Sequence, residues 1–212
     1  MSNDQPTLEP TARQPGRPRV ISDDAIYLAG LQVLAEHGSK GLTLARMARV
    51  LGVTPAAVRQ RFGSKRGLLV EMARRRVEQT ELRFASALAA HDSPLEALQA
   101  AFVAEMDRIG EPRQLANAIS AYTDNVDDAE MRAAFAAELA AMERHTGELL
   151  EEAIEVGEIR GPVTPGLVST VLAAVEGTML IWAIAPRGEI KDRIHEAVEV
   201  ALGRAADPAA SS

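Results

Sequence analysis

One helix-start signal recurs along this chain. Thr54-Pro55, Ser93-Pro94 and Thr164-Pro165 each set a hydroxyl directly before a proline. The hydroxyl accepts from N–H groups that a helix leaves unpaired in its first turn. Proline at the first helical position lacks only an N–H that had no partner there. Ser22 before Asp23-Asp24, Thr43, Ser64 before Lys65, Pro112, Asp127 with Glu130 three residues on, and Glu189 mark further starts. Between them lie many Ala and Leu, the better helix formers, and the β-branched alternation of strands is scarce. Aromatic residues make up only 3%, so the core must be aliphatic. This punctuation predicts nine helices and no strand, an all-α chain in two parts.

The first helix is expected from the Ser22 cap to about residue 37, with Ile21 and Ile26 spaced as a hydrophobic staple and Gly38 as its stop. The others are expected near 43–51, 54–63, 65–90, 93–109, 112–125, 127–156, 164–185 and from 189 onward. Residues 1–20, Pro-rich and aperiodic, read as a disordered basic arm, and 205–212 as a disordered tail. Residues 21–66 form the expected head and 67–204 the expected body.

Charge separates the two parts. The formal net charge is −7, yet residues 1–76 carry thirteen Lys and Arg against six Asp and Glu. From His37 to Val70 there is no acid at all, while Lys40, Arg46, Arg49, Arg59, Arg61, Lys65 and Arg66 fall in that window. A solvated helix face normally mixes signs, so a one-sign field of this length points to an anionic partner. A basic head on an acidic body is the footprint of a nucleic-acid binder.

The two short helices joined by Leu51-Gly52-Val53 have the pattern of a helix-turn-helix, whose second helix enters a major groove. Met47, Leu51, Val53, Val58 and Phe62 are spaced to pack inward. That leaves Thr54, Pro55, Ala56, Arg59, Gln60 and Arg61 to face DNA, with Thr43 and Arg46 from the preceding helix. Lys65 and Arg66 occupy the first turn of the fourth helix, where the macrodipole disfavours cations unless an anion binds; a DNA phosphate would reverse that balance. Arg17 and Arg19, in GRPR, could reach a minor groove.

The run formed by the GRPR arm, a first helix ending in EHG, then GLT, MARVLGVTPAAV and RFGSKRGLL resembles the DNA-binding head of the TetR family of bacterial repressors. Gly157-Glu158-Ile159 and Val175-Glu176-Gly177-Thr178-Met179-Leu180 are more loosely similar to that family's C-terminal region. The resemblance implies a homodimer, an effector pocket in the helical body, repression relieved by a small molecule, and a phosphate contact at Lys65. The chain departs from the family in having Arg59 and Arg61 where Tyr and His are common, and Ala45 where Arg often stands. Which residues read bases is therefore open, because Arg serves phosphate and guanine alike.

In the body, Phe102, Met106, Asn117, Tyr122, Phe135, Met142, His145 and Trp182 combine apolar surface with polar handles, as a ligand cavity requires. Val168, Val171, Val175 and Met179, with Ile190, Ile194 and Val198, are expected to form a dimer seam in a four-helix bundle. Glu176 is expected either in the pocket or at that seam. No enzyme is expected: HExxH, GxSxG and GxxxxGK[ST] are absent. Neither cofactor nor metal is expected, since there is no Cys and the His145/Glu148 and Asp192/His195/Glu199 spacings are common on acidic helices. A constitutive helical DNA binder with a solid body is the main alternative, and a small helical enzyme a weaker one. No signal peptide is expected from the first nineteen residues. Glu176 in the apolar stretch 167–186 argues against a membrane span, so the cytoplasm is the expected location.

Overall fold

The computed structural model describes residues 22–204. The arm with Arg17 and Arg19, Ile21 and the 205–212 tail lie outside the described residues. Among these residues there are nine α-helices and no strand: α1 (Asp23–Gly41), α2 (Leu44–Leu51), α3 (Pro55–Phe62), α4 (Lys65–Ala90), α5 (Pro94–Ala104), α6 (Pro112–Thr123), α7 (Ala129–Glu155), α8 (Pro165–Ile184) and α9 (Ile190–Ala201). A 3-10 turn over Glu105–Arg108, not expected from the sequence, follows α5.

The helix starts are where local chemistry puts them. The hydroxyls of Ser22, Thr43, Thr54, Ser64, Ser93 and Thr164 each accept from the backbone N–H three residues on, at 3.1–3.2 Å. At α7 the cap is Asp128 rather than Asp127, and it takes the N–H groups of both Glu130 and Met131. α1 does not stop at Gly38. That glycine breaks the helix at φ 67, ψ 178, and a last turn continues to Gly41.

α1, α2 and α3 close over one apolar cluster. Met47, Leu42 and Leu68 are fully buried in it, each contributing roughly 1.5–3 kcal/mol of transfer free energy. Gly52 ends α2 at φ 66, ψ 33, the left-handed conformation that lets the chain turn into α3. Gly67 answers a different need. A Cβ there would lie 2.1 Å from the Phe62 carbonyl oxygen, so the α3–α4 approach depends on a hydrogen at that position. Gly67→Ala is expected to cost about 1–3 kcal/mol, read as a lowered melting temperature.

The head cluster runs on to Ala73 and takes in Ala121 of α6 and Met131 and Ala134 of α7. Head and body therefore share packing. A second cluster builds the body: Phe84 of α4, Leu98 and Phe102 of α5, Leu150 of α7, and the inner faces of α8 and α9. Tertiary contact pairs α4 with α7 and α5, α8 with α9, and α1 with α6. α8 has the length and mean hydropathy (1.8) of a membrane span. One of its faces nevertheless packs into the body core through Val168, Val171, Leu172, Val175, Met179 and Trp182.

Candidate nucleic-acid interface and cavity

α3 stands on the head by Val58, which is 2% exposed, while Thr54, Pro55, Ala56, Arg59, Gln60 and Arg61 point outward. Thr43 is exposed at the start of α2, and Arg46 beside it is half-buried, donating from Nη1 to the Gly41 carbonyl at 2.6 Å. These side chains, Arg46 only in part, are therefore left outside the apolar core of the head. The head's charges are not equivalent. Arg61 pairs with Asp23 at the start of α1, and Lys65 Nζ donates to the Ser39 carbonyl at 2.5 Å. Lys40, Arg49 and Arg59 are exposed and have no ion pair among the described residues.

Arg66 corrects the expectation of a Lys65–Arg66 phosphate pair. Its Nε and Nη2 grip Asp128 of α7 at 2.5 and 2.9 Å, and Nη2 also reaches Glu130 at 3.0 Å. These bonds pull the Asp128 pKa down to about 2, the Arg66 hydrogen bond leading. The macrodipole argument required an anion at this helix start, and the body supplies one. Lys65 keeps two of its three N–H donors after the Ser39 bond.

A hollow of about 760 Å³ opens between α1 and the body helices. Its walls come from both parts: Tyr27, Leu28, Leu31 and Ala35 of α1, Arg76, Thr80, Leu82 and Arg83 of α4, Glu105 and Ile109, Gln114 and Ala118 of α6, and Glu138 of α7. None of the eight residues expected to line a pocket is among them. Phe102, Met106 and Met142 are buried in the solid core. Asn117 instead straps body to head, donating to the Ala35 carbonyl at 2.8 Å. Tyr122 stacks on Phe135 at 4.5 Å and donates from its hydroxyl to Glu138. His145 stacks on Phe84 and sits between Glu81 and Glu148. Trp182 donates to the Gly188 carbonyl, closing the α8–α9 connection.

The floor of the cavity is an ion network that sequence reasoning missed. Arg76 Nε donates to both oxygens of Glu138 at 2.8 Å, and Nη2 to Glu105 at 2.7 Å; Arg83 Nη1 donates to the other Glu105 oxygen at 2.9 Å. Burial alone would push Glu105 up, but Arg76 and Arg83 together hold it down at about 2. Burial raises Tyr122 well above its ordinary value, the nearby carboxylates adding to it, so it stays a neutral donor. The available signal was spacing: Arg76, Thr80 and Arg83 share one face of α4, a helix otherwise packed inward there.

The residues expected at the dimer seam are occupied within the single chain. Val168, Val171, Val175, Met179, Ile190, Ile194 and Val198 are all 7% exposed or less within the single chain. They join α8 and α9 to their own body. The outer face of α8 carries Gly166, Thr170, Ala173, Gly177, Leu180 and Ile184, spaced alternately four and three residues apart. Leu180, Ile181 and Ile184 are 47%, 63% and 75% exposed. Glu176 is partly open to solvent and outside the cavity wall, at the flank of α8 that faces the Arg76, Glu105 and Glu138 network rather than on the outer row. Its pKa is nonetheless pushed up to about 7, first by the protein around it and then by Glu105.

Residues 26–72 match the family model described as bacterial regulatory proteins, tetR family. No curated protein matches the sequence significantly. Among solved structures, a transcriptional regulator from Rhodococcus sp. Rha1 is similar at 20% identity and a TM-score of 0.67, over 87% of this chain and 96% of that one. Thermus thermophilus FadR, a TetR-family transcriptional repressor in complex with lauroyl-CoA, matches at 18% identity and a TM-score of 0.56, over 86% and 94% of the two chains. The ketosteroid transcriptional regulator KstR2 of Mycobacterium tuberculosis matches at 18% and 0.56, over 85% and 93%. Residues 26–72 thus match the head of the tetR family of bacterial regulatory proteins, carried on a chain that has the fold of these regulators throughout.

Proposed function

We propose that the protein binds duplex DNA as a homodimer, with α3 of each copy in a major groove, and that a small molecule in the 760 Å³ cavity releases it. The carrying observation is where that cavity lies. α1 of the head forms one wall and the body helices, with α4, form the others, so a ligand there touches both α1, which carries α2, and α4, and α3 packs on α2 and α4. Three ties hold the same junction: Asn117 to Ala35, Arg66 to Asp128, and Arg75 to Asp24. A ligand that wedges α1 from α6 strains those ties and shifts the population away from the DNA-binding spacing. A cavity of this size also favours an effector over a constitutive binder with a solid body.

Within the proposed interface, Arg59 is exposed and has no ion pair among the described residues. Arg59→Ala is expected to weaken binding to operator and random DNA alike and to flatten the log–log salt slope by about 0.9. Fluorescence anisotropy across a salt series checks it, and an unchanged slope with relaxed preference at one base pair would make Arg59 a base reader instead.

The effector reading is tested by filling the cavity. Ala118 lines it from α6. Ala118→Trp should leave ligand-free operator affinity in place while abolishing release by any compound that releases the wild type, a coupling of about 5–150-fold. Release that survives the substitution would place the effector elsewhere.

A further inference from the structure

Resting on the reading of this cavity as an effector site, we infer that its ligand is an amphipathic oxyanion, received by Arg83. Arg83 belongs to the cavity wall and its side chain is 14% exposed. Nη1 is committed to Glu105, but Nε and Nη2 are sealed from solvent with no acceptor among the described residues. Those two nitrogens lie along one edge of the guanidinium, and that edge takes a carboxylate bidentately. The same protein shows the edge filled twice. Arg66 offers its Nε and Nη2 to Asp128, and Arg76 offers its own to Glu138 and Glu105. A buried donor without an acceptor is costly, and Arg83 has two side by side.

The acids around the cavity do not reverse the sign. Glu105 and Glu138 already accept from Arg76, Arg83 and Tyr122, while Asp107 accepts from Lys191 and Glu36 from Gln32. The unmet demand in the wall is for an acceptor. Arg75 Nε is also unpartnered, but its Nη2 is spent on Asp24 and the adjoining hollow holds about 10 Å³, room for one water. Among the described residues, Arg83 combines an orphaned edge with a place in the wall of a hollow large enough for a ligand. Leu28, Leu31, Leu82 and Ile109 supply the apolar wall for the remainder of such a molecule. For this the outer torsions of Arg83 must turn on ligand entry, so that the sealed edge meets the hollow.

The test compares three probes of one shape, decanoate, decan-1-ol and decylammonium, by isothermal titration of the full-length protein. Decanoate is expected to bind about tenfold or more tighter than decan-1-ol, with decylammonium weakest. Arg83→Gln should erase that advantage. Arg83→Lys keeps a cation beside Glu105, which guards against mere unfolding, and lacks the fork, so it should lose most of the advantage too. Equal binding of acid and alcohol, preference for the amine, or an advantage that survives both substitutions overturns the inference. Operator release by the alcohol or amine alone would overturn it while leaving the effector reading intact. Absence of binding by all three overturns it as well, and release by other compounds then decides the effector reading.

Discussion

Replacing Ala173 by Arg is expected to split the protein into monomers and to weaken operator binding by about 10²–10⁴-fold. Ala173 is exposed near the middle of the α8 outer face, between Thr170 and Gly177, and a Cβ built at Gly177 meets nothing within 4 Å. Small residues at a four–three spacing let a second helix approach closely, and Leu180, Ile181 and Ile184 give it apolar surface to cover. An arginine there must desolvate or push the partner away. The loss in DNA affinity follows from bivalence, because each head alone holds only half a site. Sedimentation and DNA titration check both halves, and a dimer that persists with Arg at 173 would move the seam. Val175 offers a contrast. At 1% exposure it faces its own core, so Val175→Arg should unfold the chain rather than dissociate it.

Glu105→Gln is expected to destabilise the protein by about 3 kcal/mol at pH 7. Its carboxyl is held at about 2 against an ordinary 4.5, and each pKa unit is worth about 1.4 kcal/mol. Neutralising it also leaves Arg76 and Arg83 without the charge that offsets their burial. The sign fixes the pH dependence. A depressed carboxylate stabilises the fold fully above its unfolded value, and that contribution fades as pH falls through the folded one. The gap between wild type and Glu105→Gln should be constant from pH 7 down to about 4.5 and close toward about 2. Urea unfolding at stepped pH measures it. A gap that does not change over that window would mean the carboxylate is not held by the two arginines.

What the sequence disclosed and what it hid divide along physical lines. Caps are local: Thr54, Ser93 and Thr164 bond to N–H groups three residues away, so the helix starts could be read directly. The inward packing of Met47 and Val58 was equally legible, because short amphipathic helices have one apolar side. α8 has no such asymmetry. It is apolar nearly all round, and which face meets its own body depends on where α6, α7 and α9 lie, so the sequence could not say which residues the single chain would bury. The cavity was hidden for the same reason. Its walls join residues as distant as Tyr27 and Glu138, and it exists because α1 leans on α6 while α4 passes beneath. Arg66 misled because a cation at a helix start demands an anion without saying which, and Asp128 is 62 residues away.

The central claim is that two heads of a dimer read one duplex. Selection of binding sites from a random-sequence duplex library by the full-length protein tests it most directly. The expected result is an enriched palindrome whose half-sites lie about one helical turn apart, ~34–36 Å, protected together and lost together when Ala173 becomes Arg. Enrichment of a single asymmetric site by a monomer, or no enrichment above random DNA at moderate salt, would contradict it.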